Sequence, residues 1–217
     1  MEKSFKTVNE RATAEIIEKK SRFIANVLPV SSEEEAINFI SIIKKQFYDA
    51  RHNCFAYIIK GNVPIMRFSD DGEPSGTAGK PILDLLLGEK IENVVVVVTR
   101  YFGGTLLGTG GLVRAYGKAA KEGILSAKIV EMSSYNKVSL VSDYFISGKI
   151  QYEITKNNYI LIDTKYSDIV TFEIYVKSDL LDEFEKNIIN LTNNSITISK
   201  NENSEFLKVI DGQIVLD

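Results

Sequence analysis

The chain has 217 residues, 44% of them apolar, with 26 Lys+Arg against 29 Asp+Glu. That apolar content suffices for one large core or two smaller ones, and a net charge of −3 excludes a uniformly basic nucleic-acid coat. One cysteine (Cys54) and one histidine (His52) exclude a disulfide framework and a Cys-rich zinc site and disfavour a His-based metal site. Met1–Lys6 is charged and lacks the apolar stretch of a signal peptide. No run approaches the roughly 18 apolar residues of a membrane helix, so a soluble protein of the reducing cytoplasm is expected, with no membrane partner and no cofactor.

In chain order, Ala12–Glu18 and Arg22–Val30 read as strands joined by a tight Lys19-Lys20-Ser21 turn. Ser31 or Ser32 caps a helix with Glu33, Glu34 and Glu35 in its first turn, where the helix dipole favours acids. Ala36, Ile37, Ile40, Ile43 and Phe47 form its apolar face. Asn53–Ile59 and Pro64–Phe68 form a hairpin around Gly61-Asn62, and a helix runs from near Thr77 to Leu87. Val94–Val98, five consecutive valines, predicts a strand buried on both faces. A long helix, about Gly110 to Ala127, precedes a short strand at Ile129-Val130.

The rest reads as strand Val138–Val141, helix Phe145–Lys156, hairpin Tyr159–Thr164 with Ile169–Val176, a helix capped by Ser178 through Leu191, and strand Ile196–Ile198. This βαββαβ order is the ferredoxin-like plan. A last hairpin pairs 208–210 with 213–215 around Asp211-Gly212. The expected class is α+β in two domains, 1–133 and 134–217, divided at Ser133-Ser134. Up to Ser133 there are 18 bases and 16 acids, whereas beyond it 8 lysines face 13 acids and no arginine occurs. Arginine placement is informative because a guanidinium forks onto phosphate or carboxylate as an ammonium cannot.

Thr99–Leu112 leads from the valine strand into a helix and holds Gly103, Gly104, Gly108, Gly110 and Gly111. Such a segment lets backbone N–H groups approach an anion at a helix start, with Arg100, Thr105 and Arg114 beside it. It is neither a P-loop nor a dinucleotide fingerprint, since no Gly-Lys-Ser/Thr closes it and Val113 holds the third glycine position. The alternative is a tight turn under a packed neighbour. Arg114, Lys118 and Lys121 then make a basic helix side able to follow a phosphate backbone, or simply a solvated face.

Ser75-Gly76-Thr77-Ala78-Gly79-Lys80 offers a second anion seat, with Lys80 beside it. Before it, Asp70, Asp71 and Glu73 suggest either a magnesium or acid–base group or an acidic turn. His52 and Cys54 share one strand face, so a nucleophile and base are conceivable. Their spacing of about 7 Å is long for that, however, and cysteine often serves as a buried hydrophobe. Arg51 and His52 could instead line a cleft rim.

These segments resemble the YigZ/IMPACT family. The matching stretches are Lys20-Ser21-Arg22-Phe23-Ile24, Ala50-Arg51-His52-Asn53-Cys54, Ser69–Gly79, and Thr99–Gly104 with Leu107-Gly108. The resemblance implies a first domain like elongation factor G domain IV and a small-subunit ribosomal protein, and a second like elongation factor G domain V. It also implies a link to translation, since eukaryotic IMPACT relatives restrain an initiation-factor kinase by competing for its ribosome-associated activator. It transfers no catalytic residue. The expectation is therefore a non-enzymatic protein that binds RNA, the ribosome or a translation-associated protein. The alternatives are an enzyme acting on a phosphorylated or carboxylated metabolite at the same cleft, and a pure interaction scaffold.

Overall fold

The computed structural model describes residues 4–157, 159–201, 203–210 and 213–215. The chain divides into two compact units, Phe5–Glu131 and a second made mainly of Met132–Asp217. The first holds strands β1 (Ser4–Val8), β2 (Ala12–Glu18) and β3 (Ser21–Pro29), then helix α1 (Glu33–Gln46). Strands β4 (His52–Ile59) and β5 (Ile65–Ser69), helix α2 (Gly79–Glu89), strand β6 (Val94–Tyr101) and helix α3 (Thr109–Ser126) complete it. The sequence does not predict β1, whose apolar residues are too few to show an alternating pattern; Lys6 bridges Ile91, and Thr7 Oγ1 donates to the Asn93 carbonyl.

The sheet order is β2-β3-β6-β4-β5, with every pair of neighbours antiparallel. Val94, Val96 and Val98 face a core shared with α2 and α3, while Val95 and Val97 face a second core under α1. All five are fully buried, as the uninterrupted run predicted. Each contributes about 1.5–3 kcal/mol of burial, which fixes β6 at the centre of the sheet. Ser32 caps α1 by accepting from the Glu35 amide at 3.2 Å, and the Glu35 carboxylate reaches back to the Ser31 amide at 2.7 Å. On that helix Phe39 is buried, whereas Ile37 lies exposed.

α2 begins at Gly79 rather than Thr77, because Thr77 closes a turn onto the Pro74 carbonyl. The next strand, β7 (Ile129–Ser142), is continuous over 14 residues. The separate strands expected at 129–130 and 138–141 are its two ends, and Ser133-Ser134 lies within it. Ser133 and Ser134 are both buried, so two small polar residues that read as a linker are accommodated in a strand.

The second unit adds α4 (Tyr144–Lys156), β8 (Ile160–Tyr166), β9 (Val170–Lys177), α5 (Leu181–Leu191) and β10 (Thr197–Lys200). The strand order β10-β7-β9-β8, antiparallel throughout, is ferredoxin-like. One face of β9 is buried, where Val170, Phe172, Ile174 and Val176 join Ile146, Ile150 and Phe184 in a single core. Ser178 does not cap α5. Its hydroxyl donates to Asn136 Oδ1, and the helix starts at Leu181. Strands β11 (Glu205–Ile210) and β12 (Gln213–Val215) form the last hairpin; its expected turn at Asp211-Gly212 lies outside the described residues.

Candidate functional site

At the end of β6 the sheet register sets Phe23, Arg100 and His52 side by side across β3, β6 and β4. Arg100 is not an exposed anion ligand. It is 7% exposed, and its Nη1 donates to Glu73 Oε1 at 2.7 Å. The same carboxylate oxygen accepts from the Tyr116 hydroxyl at 2.8 Å. The guanidinium lies over two rings, 5.5 Å from the Phe23 centroid and 5.6 Å from that of Phe102. Its Nε is buried and meets no hydrogen-bond partner among the described residues.

The acidic segment is knitted inward. Asp70 Oδ1 accepts from the amides of Ala78 and Gly79, and Oδ2 accepts from that of Gly76. The anion seat expected at Ser75–Lys80 is therefore occupied by this chain's own carboxylate, which caps α2 from outside the helix. Lys80 pairs with Asp84, Thr77 is buried, and Ser75 is exposed. Gly79 is required here, since a Cβ would stand 2.5 Å from the Ser69 carbonyl oxygen. Asp71 accepts from Lys44 Nζ and from the Asn53 amide, each at 2.7 Å. Among the described residues no three acids, histidines or cysteines are grouped so as to hold a metal ion.

Cys54 is fully buried, with Sγ donating to the Asp70 carbonyl and 3.4 Å from the Tyr116 hydroxyl. Burial above all pushes its thiol up to about 12, and the charges of Glu73, Asp71 and Asp70 act in the same direction. That environment opposes a thiolate nucleophile at neutral pH. Burial likewise raises the Tyr116 phenol. His52 Nδ1 lies 3.0 Å from the Asp71 carbonyl oxygen, which requires the proton on Nδ1 and leaves Nε2 as the acceptor in the neutral ring.

The glycine loop itself is open. Gly104, Thr105, Gly108 and Gly110 are exposed, and Gly111 is half-buried. Gly103 anchors the loop: its amide donates to Ser21 Oγ at 3.1 Å, and a Cβ there would meet the Lys20 carbonyl carbon at 2.0 Å. The loop is thereby pressed against the β2–β3 turn, and two concavities flank it. A cleft of about 490 Å³ is lined by Arg51, His52, Arg100, Phe102 and Leu106, with Asp49 hydrogen-bonded to Tyr101 at its edge. A groove of about 240 Å³ is lined by Glu18, Lys19, Leu107, Gly111, Arg114 and Lys118.

Four of the six arginines are engaged: Arg22 with Glu15, Arg67 with Glu33, Arg100 with Glu73, and Arg11 over Phe39. Arg51 and Arg114 are exposed and have no ion pair or ring partner among the described residues. Lys19, Lys20, Lys118 and Lys121 are likewise exposed and unpaired there. In the sequence Lys19-Lys20 reads only as a turn; the fold sets Lys19 beside Arg114 and Lys118 of α3. The signal available in the sequence is lysine in a tight turn, where glycine or asparagine is favoured; in the structure both residues adopt positive φ, 45° and 69°.

Fold and site thus define a two-unit α+β protein with a ferredoxin-like second unit and an unpaired cationic edge on the first. The chain belongs to the IMPACT family. Residues 19–124 match the Impact N-terminal domain, and residues 140–195 match a domain of unknown function (DUF1949). Over 208 residues, 96% of each chain, it is 42% identical to IMPACT family member YvyE of Bacillus subtilis. IMPACT family member YigZ of Escherichia coli is 31% identical over 83% of this chain and 89% of its own. A crystal structure of a hypothetical protein superposes over 94% of this chain and 100% of that one, at 29% identity and a TM-score of 0.59. No helix among the described residues is long and apolar enough to cross a membrane.

Proposed function

We propose that this chain is a translation-associated regulator that binds RNA, by itself or on the ribosome, through the cationic edge of its first unit. The link to translation is what the family resemblance implies. The RNA contact is supported by one observation above the others: Lys19, Arg114 and Lys118, none of them paired within the described residues, converge on one groove beside the open glycine loop. A local patch of this kind suits a chain of net charge −3, which cannot coat RNA non-specifically.

Lysine in a left-handed turn strengthens the reading, because backbone strain is retained where a side chain is needed. Lys19, Arg114, Lys118 and Lys121 supply the phosphate contacts, with Lys20 and the amides of Gly104, Thr105, Gly108 and Gly110 at the margin. The Ser75–Lys80 segment takes no part, and Arg100 acts through its neighbours. Titration of labelled RNA at increasing salt tests this. The expected slope corresponds to about 2–4 neutralised phosphates, and Arg114→Ala with Lys118→Ala should reduce it. No binding at low salt, or a slope unchanged in that double variant, would refute the RNA reading.

A further inference from the structure

The groove holds the cations, yet the cleft across the loop is the larger concavity and holds an aromatic ring. Phe102 is 55% exposed. One side of its ring faces the Arg100 guanidinium at 5.6 Å, and that guanidinium is fixed by the buried Glu73 carboxylate at 2.7 Å. The ring is thus backed by an immobilised cation while much of its surface stays open to solvent. Leu106, 83% exposed, provides a second apolar wall, and Arg51 stands at the rim with no ion-pair partner among the described residues. The about 490 Å³ available falls in the range of small-ligand sites.

Cleft and groove adjoin, because Leu106 lines the first and the next residue, Leu107, lines the second. Consecutive Cα atoms are about 3.8 Å apart. We propose that the cleft takes one unpaired base of a single RNA strand, stacked on the open face of Phe102, while the neighbouring phosphates lie along Lys19, Arg114 and Lys118. This inference rests on the RNA-binding reading and specifies the form of RNA that it concerns. A protein aromatic would fill the cleft equally well, but it would not bring the linked negative charges that the groove is built to meet. A duplex cannot supply the base, because its bases are stacked inside the helix. Arg100 is then a positioning residue: it holds the ring rather than the phosphate, which accounts for its burial and its pairing to Glu73.

The test compares a short oligouridylate with an RNA duplex of equal length by anisotropy, using the full chain and its Phe102→Ala, Phe102→Leu and Phe102→Tyr variants. Single strand should bind more tightly than duplex. Phe102→Ala and Phe102→Leu should each weaken it about tenfold, the effect of losing one base–aromatic stack, and Phe102→Tyr should restore it. Melting curves verify that the variants fold, as expected for an exposed side chain. Should Ala and Leu fail to fold, the wild-type preference for single strand over duplex still decides the matter. RNA binding with equal affinity for the two forms, or unchanged by Phe102→Leu, overturns the base-stacking inference and leaves the proposed function standing. Binding to neither form overturns both.

Discussion

Lys19 and Lys20 are the two central residues of the β2–β3 hairpin, since Glu18 pairs with Ser21. With φ of 45° and 69° they occupy left-handed backbone that costs a side-chain-bearing residue about 1–2 kcal/mol. Replacing them with Asn-Gly should therefore raise unfolding free energy by about 1 kcal/mol or more, measured by urea titration, while weakening RNA binding. A variant that is more stable and binds equally well would remove the reason offered for lysine in this turn. Glu73→Gln acts the other way. It leaves the Arg100 guanidinium buried without its counter-charge and should destabilise the first unit by about 3–5 kcal/mol; a loss under 1 kcal/mol would show that the pair is not what holds the guanidinium. Neither partner was legible as a pair in the sequence. Arg100 looked like a ligand because it enters a glycine loop, and its carboxylate lies 27 residues away on a segment whose placement depends on the whole sheet.

Elements whose signals are local were readable, and those fixed by distant partners were not. The Ser32 cap with Glu35 lies within four residues, and the five valines carry their own burial signal. The start of α2 depends on a residue outside the helix. Asp70 accepts amides from Gly76, Ala78 and Gly79 at 2.8–3.0 Å. Small residues before a helix therefore looked like a vacant anion seat when an internal acid fills it. Asp70→Ala should free those three amides and lower stability by about 2 kcal/mol, the upper end for a lost cap, read as a fall in melting temperature. Asp70→Asn, which keeps an acceptor, should recover most of the loss; an Ala variant as stable as wild type would mean that the amides find water without penalty. The unbroken β7 was hidden for a related reason. Ser133 and Ser134 are neither β-branched nor aromatic and so give no strand signal, but the Ser134 carbonyl accepts from the Ser178 amide and its hydroxyl meets that of Ser178 at 2.8 Å, so partners from beyond β9 complete the strand.

For the molecule as a whole, the buried acids of the first unit set where stability begins to fall as pH rises. Cys54 is raised from an ordinary value of 9.0 to about 12, chiefly by burial. Tyr57 is also pushed up to about 12 from 10.0 by burial and by its hydrogen bond to Glu33, and Tyr116 is raised as well. Below pH about 9 these groups are neutral in both the folded and the unfolded chain, so their burial carries no ionic penalty and their contribution to stability is at its full value. Above that value the thiol ionises first in the unfolded chain, which then binds fewer protons than the folded one, and stability falls as pH rises toward about 12. The tyrosines join only above their ordinary value of 10.0, so the onset between 9 and 10 belongs to Cys54. Urea midpoints followed by far-ultraviolet circular dichroism should accordingly hold level from neutral pH up to about 9 and decline beyond it. Cys54→Ala should lose some stability at neutral pH through the cavity it opens, yet should show no decline until the tyrosines titrate. If wild type and variant began to decline together, the thiol would be exchanging with solvent in the native state, and the close packing assigned to Cys54, Tyr116 and Glu73 behind Arg100 would be wrong.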